Sequence, residues 1–116
     1  MEWLIALWLS YTAPLVYAQE FRTIQAEVTA YSELDSCHTG PDCLMANGER
    51  AYIGALACPR ELALGTRVSI ENINYKCTDR THKKYNGRFD VFKGFGKGAY
   101  EEALEHGVQL LEVKIY

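Results

Sequence analysis

Two aspartates occupy positions from which a carboxyl group could do acid–base chemistry. Asp90 lies inside the apolar run 89–92 (FDVF), a place where strand propensity disfavours Asp, and Asp79 follows a second strand-like run at 75–78. A carboxyl group among aromatic and aliphatic side chains loses hydration in its charged form, so its pKa should rise, and a nearby carboxylate would raise it further. A carboxylic acid that stays protonated at neutral pH is what general-acid cleavage of a glycoside requires. In the alternative, Asp90 points to solvent on the outer face and pairs with Arg88 or Arg80.

Four cysteines are the next chemically distinctive residues: Cys37, Cys43, Cys58 and Cys77. They allow three disulfide connectivities, of which we favour Cys37–Cys43 and Cys58–Cys77. A zinc site is the weaker alternative, because the spacing of the first pair does not suit a tetrahedral site. A Cys58 nucleophile with His82 as its base is a further alternative that nothing in the sequence orders.

The N-terminus bears on where such disulfides would form. Residues 3–18 are an apolar run ending in Val16-Tyr17-Ala18, after which the chain turns polar, and this is typical of a secretory signal peptide. We predict a signal peptide over residues 1–18 and a working domain over 19–116. The run lacks the usual positive charge before it, so an uncleaved membrane anchor or a buried N-terminal element are the alternatives. Export to the cell envelope or beyond would allow disulfides to persist.

Composition limits the remaining classes of function. The chain has 116 residues, of which 48% are hydrophobic and 23% charged, as in an ordinary single globular domain rather than a disordered segment or coiled coil. The net charge is −3 and no basic run is present, so we expect no nucleic-acid partner. Nothing in the sequence indicates oligomerisation, and we expect a monomer.

The elements that must position the aspartates are short strands. Period-2 alternation or short apolar runs predict strands at 24–31, 51–58, 66–71, 75–78, 89–92 and 110–116. Residues 32–50 predict a long loop, and the glycine-rich stretch 94–98 predicts a flexible connector. Residues 99–106 predict one short amphipathic helix that Gly107 ends. Six strands and one helix in this length indicate an all-β fold, a small closed β-barrel.

The ordered motifs of the chain resemble the three-aspartate (3D) domain of bacterial cell-wall lytic enzymes, over about Val28 to Ile115. The segments that carry the resemblance are Val28-Thr29-Ala30-Tyr31, Leu62-Ala63-Leu64-Gly65-Thr66-Arg67-Val68, Thr78-Asp79-Arg80, Asn86-Gly87-Arg88-Phe89-Asp90-Val91-Phe92, and Ala103 to Gly107 with Val113. The chain is similar, more loosely, to the rare lipoprotein A and expansin group, through Ala46-Asn47-Gly48-Glu49 and the Asp-Arg dipeptide.

The resemblance implies a six-stranded double-psi β-barrel whose groove binds peptidoglycan glycan strands. It implies lytic transglycosylase activity at the bond between N-acetylmuramic acid and N-acetylglucosamine, with a 1,6-anhydro product and with no metal and no cofactor. By position, Asp90 matches the acid/base and Asp79 matches the aspartate that orients it. Tyr31 is a candidate to stack on a sugar, and Arg80 or Lys83 to hold a carboxylate of the substrate.

The sequence departs from the family pattern in two places. Cys58 occupies the position of the first family aspartate, and Asp79-Arg80-Thr81 replaces the usual Asp-Thr-Gly. Three hypotheses follow: a lytic transglycosylase, a non-catalytic wall-binding module of the expansin type, and a disulfide-stapled structural barrel whose aspartates serve ion pairs.

Overall fold

The computed structural model describes residues 20–36 and 43–116. The predicted signal peptide over residues 1–18 lies outside these residues, and so does Cys37. The signal peptide and the Cys37–Cys43 disulfide therefore stay predictions. Among the described residues no helix is long and apolar enough to cross a membrane.

In residues 20–36 and 43–116, six strands and two α-helices follow one another. The strands are β1 (Arg22–Tyr31), β2 (Ala55–Cys58), β3 (Arg67–Ile70), β4 (Ile73–Arg80), β5 (Phe89–Phe92) and β6 (Gln109–Ile115). The helices are α1 (Glu33–Ser36), a single turn after β1, and α2 (Gly96–His106), between β5 and β6, while a 3₁₀ helix spans Lys83–Tyr85.

The strands close into a barrel in the order β1-β5-β2-β4-β3-β6. Two pairs are parallel, β1 with β5 and β2 with β4, and the other four pairs are antiparallel. Replacing each strand by the one three places later in the chain leaves all of these pairings unchanged. This internal twofold relation between the halves β1–β3 and β4–β6 is the arrangement expected of a double-psi barrel. The prediction of a closed all-β barrel of six strands is confirmed.

Alternation along the strands divides the apolar residues between two clusters. The barrel interior contains Ala26, Val28, Leu56, Cys58, Leu62, Val68, Ile70, Cys77, Phe89, Val91, Val113 and Ile115. A second cluster lies on the outer face of β1, β2 and β5 under residues 43–51, and contains Tyr31, Cys43, Met45, Ala51, Ala55, Ala57 and Phe92. Asp90 alternates with Phe89 and Val91 and therefore shares the outer face with Phe92.

Several boundaries differ from the sequence prediction for local reasons. Strand β2 begins at Ala55 rather than at residue 51, because Gly54 has φ +106° and the Ala55 N–H closes a turn onto the Tyr52 carbonyl. Helix α2 begins at Gly96, within the predicted connector. The predicted loop contains α1 and an isolated bridge between Leu44 and Arg50.

Cys58 and Cys77 form a disulfide between β2 and β4, with their Cα atoms 5.7 Å apart and both side chains inside the barrel. This is the pairing that the sequence analysis favours, and it corrects the alternative of a Cys58 nucleophile, since the sulfur is already bonded. Cys43 is also disulfide-bonded, while the Cys37 half of the predicted second pair lies outside the described residues.

Candidate active site

One row of residues across four strands sets the position of both aspartates. The Cα register pairs Thr29 of β1 with Asp90 of β5, Asp90 with Ala57 of β2, and Ala57 with Asp79 of β4. Directly paired residues present their side chains to the same face of a sheet, and adjacent strands lie about 5 Å apart. Asp79 and Asp90 therefore share the outer face, separated by one intervening strand.

A β-bulge brings Asp79 into this row. The register between β2 and β4 shifts between Leu56 and Ala57, so that Leu56 opposes Cys77 while Ala57 opposes Asp79. Thr78 is the extra residue, and its buried hydroxyl lies 3.2 Å from the Met45 sulfur. Bulges commonly re-aim a side chain near a site. Without the extra residue, Asp79 would not lie opposite Ala57.

Asp90 has a half-buried carboxyl group that accepts one hydrogen bond from the described residues. The Thr29 hydroxyl donates to its Oδ1 at 2.9 Å. Burial, with additional contributions from the charges of Asp35 and Asp79, raises the pKa of Asp90 from an ordinary 3.8 to about 6, against the opposing effects of the Thr29 hydrogen bond and the Arg88 charge. A carboxyl with this pKa can both donate and accept a proton near neutral pH.

Asp79 is held by the surrounding backbone. Its Oδ1 accepts from the N–H of Ala46 at 3.0 Å and of Arg80 at 2.8 Å, and its Oδ2 lies 3.4 Å from the Tyr31 hydroxyl, which donates to it. Burial, followed by the charges of Asp79 and Asp90, raises the pKa of Tyr31 well above its ordinary value. Tyr31 therefore stays a protonated donor that links the Asp79 carboxylate to the neighbourhood of Asp90.

Asp90 opens into a cleft of about 490 Å³ on the outer side of the barrel. The end of β1, the segment 81–88 and helix α2 form its walls. The lining residues are Thr29, Ala30, Tyr31, Asp35, Thr81, His82, Tyr85, Arg88, Asp90, Ala103 and Leu104. A cleft of this size can hold a ring-sized ligand.

Only some of the candidate site residues proposed from the sequence line the cleft. Asp90 and Tyr31 line the cleft, while Asp79 lies beside it behind the Tyr31 hydroxyl. Arg80 Nη1 donates to the carbonyls of Pro59 and Leu62, so its guanidinium fastens the turn after β2 and does not line the cleft. Lys83 opens the 3₁₀ helix and is likewise absent from the lining.

The neighbours of Asp90 do not match the alternative in which it forms an ion pair with Arg88 or Arg80. Asp90 does lie on the outer face, yet within the described part of the chain neither Arg88 nor Arg80 forms an ion pair with it. Arg88 Nη2 instead lies 3.3 Å from Glu27 Oε2, and its guanidinium stacks 4.5 Å over the Tyr85 ring. Asp90 lines the cleft, and among the described residues nothing hydrogen-bonds to its Oδ2.

Asp35 is a cleft residue that sequence reasoning missed. Its Oδ2 accepts from the Ser32 N–H at 3.0 Å and lies 3.1 Å from the Ser32 hydroxyl, which fixes the carboxylate over the first turn of α1. Its charge raises the pKa of Asp90 more than the charge of Asp79 does. The available signal was the pattern Ser32-x-x-Asp35, which is typical of a helix start.

Across residues 20–36 and 43–116, no three His, Cys, Asp or Glu side chains are grouped to hold a metal ion. The ionisable side chains that line the cleft are two carboxyls, an arginine, a histidine and two phenols.

A comparison with solved structures finds the same fold in an enzyme. The barrel is similar to that of the Escherichia coli lytic transglycosylase MltA in an apo form, with a TM-score of 0.52 and 13% sequence identity. The similarity covers 67% of this chain and 28% of the MltA chain, so the present chain corresponds to little more than a quarter of that protein. No protein-family model matches the chain, and no curated protein does. At this identity the likeness shows a shared fold.

Proposed function

We propose that the chain is a peptidoglycan lytic transglycosylase with Asp90 as its general acid and base. The observation that carries the proposal is the half-buried Asp90, which lines the cleft and has its pKa raised to about 6. The barrel shared with a lytic transglycosylase supports it. The substrate is the glycan strand, cut between N-acetylmuramic acid and N-acetylglucosamine.

The reaction balances with one carboxyl group. Protonated Asp90 gives its proton to the glycosidic oxygen as the bond from that oxygen to the muramyl C1 breaks, and the N-acetylglucosamine end leaves as an alcohol. The Asp90 carboxylate then takes the proton of the muramyl 6-hydroxyl, whose oxygen bonds to C1 and forms the 1,6-anhydro ring. The proton returns to Asp90 and no water is consumed.

The other acids of the site have supporting roles in this proposal. Asp35 lies in the cleft, and its negative charge favours protonated Asp90 and would stabilise positive charge that develops at C1. Asp79 orients Tyr31 and the turn at Ala46 through its hydrogen bonds, so we assign it a positioning role. Asp35 thus supplies a second carboxylate where Cys58 has replaced the first family aspartate.

A non-catalytic glycan-binding module is the second candidate. Cys58 is fully buried and disulfide-bonded, so the position of the first family aspartate contributes no carboxylate to the cleft. In this case Tyr31 and Tyr85 would hold sugars and the wall would be bound without cleavage. For either candidate we propose a cell-envelope or secreted location, with peptidoglycan as partner, and the Cys58–Cys77 disulfide favours such a location.

Digestion of purified peptidoglycan distinguishes the two candidates. We expect the protein to release muropeptides with 1,6-anhydro ends, detected by mass spectrometry, and to release no reducing-end products of hydrolysis. Sedimentation with the wall in the absence of any released product would favour the binding module and contradict the enzyme.

Replacing Asp35 should shift the pH dependence of the reaction. Asp35→Asn removes the charge that most favours protonated Asp90, so the pKa of Asp90 should fall toward its ordinary value. Cleavage needs protonated Asp90, so the decline of kcat/KM at rising pH, expected near pH 6 in the wild type, should begin at lower pH. Carbon NMR titration of the Asp90 carboxyl provides the same pKa without substrate.

Asp79→Asn is the matched comparison for this charge effect. Its charge contributes less to the pKa of Asp90, so the shift should have the same direction and a smaller size. An Asp90 pKa that is unchanged in Asp35→Asn, or that moves more in Asp79→Asn, would contradict the assignment of Asp35.

A further inference from the structure

Arg88 and Asp90 place a guanidinium and a carboxyl group at a fixed separation in the cleft. Arg88 comes one residue before β5, so alternation brings it to the same face as Asp90, and two residues of extended chain separate them by about 7 Å. Both residues line the cleft. A ligand whose reacting oxygen contacts Asp90 would therefore extend a substituent toward Arg88.

The Arg88 side chain is held in place but keeps unused donors. The Glu27 contact occupies Nη2 and the Tyr85 ring supports one guanidinium face, and only 22% of the arginine side chain is exposed. Within the described residues neither Nε nor Nη1 has a hydrogen-bond partner, and Nε is buried while Nη1 is not. A guanidinium held this way loses little freedom on binding.

A second polar group in the same wall also lacks a partner. Thr81 is 6% exposed, and among the described residues nothing hydrogen-bonds to its buried Oγ1, although Thr81 lines the cleft. Buried polar atoms are nearly always bonded, so two unsatisfied ones at one cleft wall call for a ligand or a water. Both lie on the side of the cleft formed by residues 81–88.

We propose that Arg88, with Thr81 beside it, is an anion subsite for a carboxylate on the sugar next to the scissile bond. The planar guanidinium matches a carboxylate, which would bond first to the accessible Nη1. A doubly charged phosphate fits less well, because Asp35 and Asp90 lie in the same cleft. The identity of the sugar rests on the proposed function. This subsite replaces Arg80 and Lys83 as the expected carboxylate binders.

Occupation of the subsite would also act on Asp90. The Arg88 charge lowers the pKa of Asp90, so a carboxylate that neutralises it should raise that pKa and favour the acid form. Among the residues that the structure describes, the other charged or titratable groups near Asp90 are Asp35, Asp79, Tyr31, His82 and Tyr85. None of these changes when the ligand carboxylate is removed, so paired ligands isolate the effect of Arg88.

Two monosaccharides that differ at one substituent test the subsite. N-acetylmuramic acid carries a lactyl carboxylate and N-acetylglucosamine does not, and neither has a bond to cleave. We expect the acid to bind the wild-type protein about 10-fold or more tightly, with a shift of the Arg88 Nε–H signal in NMR and a rise in the pKa of Asp90. Equal affinities would overturn the proposal.

Variants assign any preference to Arg88. Arg88→Gln should abolish the preference, Arg88→Lys should keep part of it, and Lys83→Gln should leave it unchanged as a control outside the cleft. Should Arg88→Gln fail to fold, Glu27→Gln loosens the arginine from a half-exposed position and should reduce the preference. An undiminished preference in Arg88→Gln or, should that variant fail to fold, in Glu27→Gln would overturn the assignment.

Further ligands identify the source of the carboxylate. The lactyl methylamide of N-acetylmuramic acid has no carboxylate and should bind as weakly as N-acetylglucosamine, while muramyl dipeptide restores carboxylates on the peptide. Tight binding of the dipeptide alone would overturn the placement of the carboxylate on the sugar, because the peptide stem would then be its source. Tight binding of the methylamide would overturn the proposal.

The outcomes also separate this inference from the proposed function. A preference for N-acetylmuramic acid without digestion of peptidoglycan would contradict the proposed enzymatic activity and support the subsite. Digestion without that preference would contradict only the subsite.

Discussion

Asp90→Asn should abolish the release of 1,6-anhydro products while making the folded protein more stable near neutral pH. The amide cannot give a proton to the glycosidic oxygen or take one from the 6-hydroxyl, and general acid–base groups typically contribute about 10²–10⁴-fold in rate. The fold should persist, because the Asn carbonyl can still accept the Thr29 hydrogen bond that Asp90 Oδ1 accepts at 2.9 Å. Mass spectrometry of digests measures the first effect.

The gain in stability follows from the direction of the pKa change. The pKa of Asp90 is raised in the folded state from 3.8 to about 6, so the folded protein holds this proton more tightly than the unfolded chain does. The stabilisation from that proton is complete below about pH 4 and is lost as pH rises through about 6. At pH 8 the buried carboxylate destabilises the wild type on the order of 2–3 kcal/mol, which Asn removes.

Denaturant titrations at pH 4 and pH 8 measure this difference. The stability gained by Asp90→Asn should be larger at pH 8 than at pH 4. Glu112→Gln, which changes an exposed carboxylate on β6, is the matched control and should alter neither activity nor the pH dependence. Unchanged product release by Asp90→Asn would remove Asp90 as the acid, and equal stability differences at both pH values would contradict the raised pKa.

The sequence predicts a strand well where the side chains on both of its faces pack against apolar clusters. The run 89–92 becomes β5 with the predicted bounds, because Phe89 and Val91 face the barrel interior while Phe92 packs on the outer cluster. The same pattern makes Asp90 conspicuous as the one polar residue in the strand. A polar residue at a position where packing favours an apolar one is often functional, and the rise in the pKa of Asp90 agrees with that expectation.

Other parts of the site depend on contacts between distant segments. The bulge at Thr78 that turns Asp79 toward Ala57 has no signature in the sequence of β4 alone, since it arises where β4 meets β2. Asp35 belongs to a segment that polar composition predicts as loop, and only the closure of the chain brings it to Asp90. Arg80 and Lys83 were reasonable candidates by charge, yet the path of the backbone directs Arg88 into the cleft instead.

The Cys58–Cys77 disulfide lies close to Asp79 in the barrel. Cys77 comes two residues before Asp79, immediately before the bulge. The bond fixes the parallel pair β2 and β4 from inside the barrel, while Asp79 and its hydrogen bonds to Tyr31 and Ala46 lie outside. The barrel therefore has a covalent support inside β2 and β4, while Asp35 contributes a carboxylate to the cleft from another wall.

Removing this disulfide should cause a large loss of stability. The double variant Cys58→Ala with Cys77→Ala frees a loop whose ends are 19 residues apart, and the unfolded chain gains the corresponding entropy, worth about 3 kcal/mol. Both side chains are fully buried, so the lost sulfur atoms also leave a cavity that adds to the cost. Guanidinium titration should show a lower midpoint and a steeper slope, because the unfolded chain without the cross-link exposes more surface.

A comparison with the second cysteine pair makes this test specific to loop length. The predicted Cys37–Cys43 bond would close a much shorter loop, so its double alanine variant should lose about 1 kcal/mol less than the Cys58–Cys77 variant. The Cys58–Cys77 variant should also lose cleavage activity, because β2 and β4 together carry Asp79 and the Ala57 position opposite Asp90. If its free energy of unfolding stayed within about 1 kcal/mol of the wild type, the bond would not be the main support of the parallel pair.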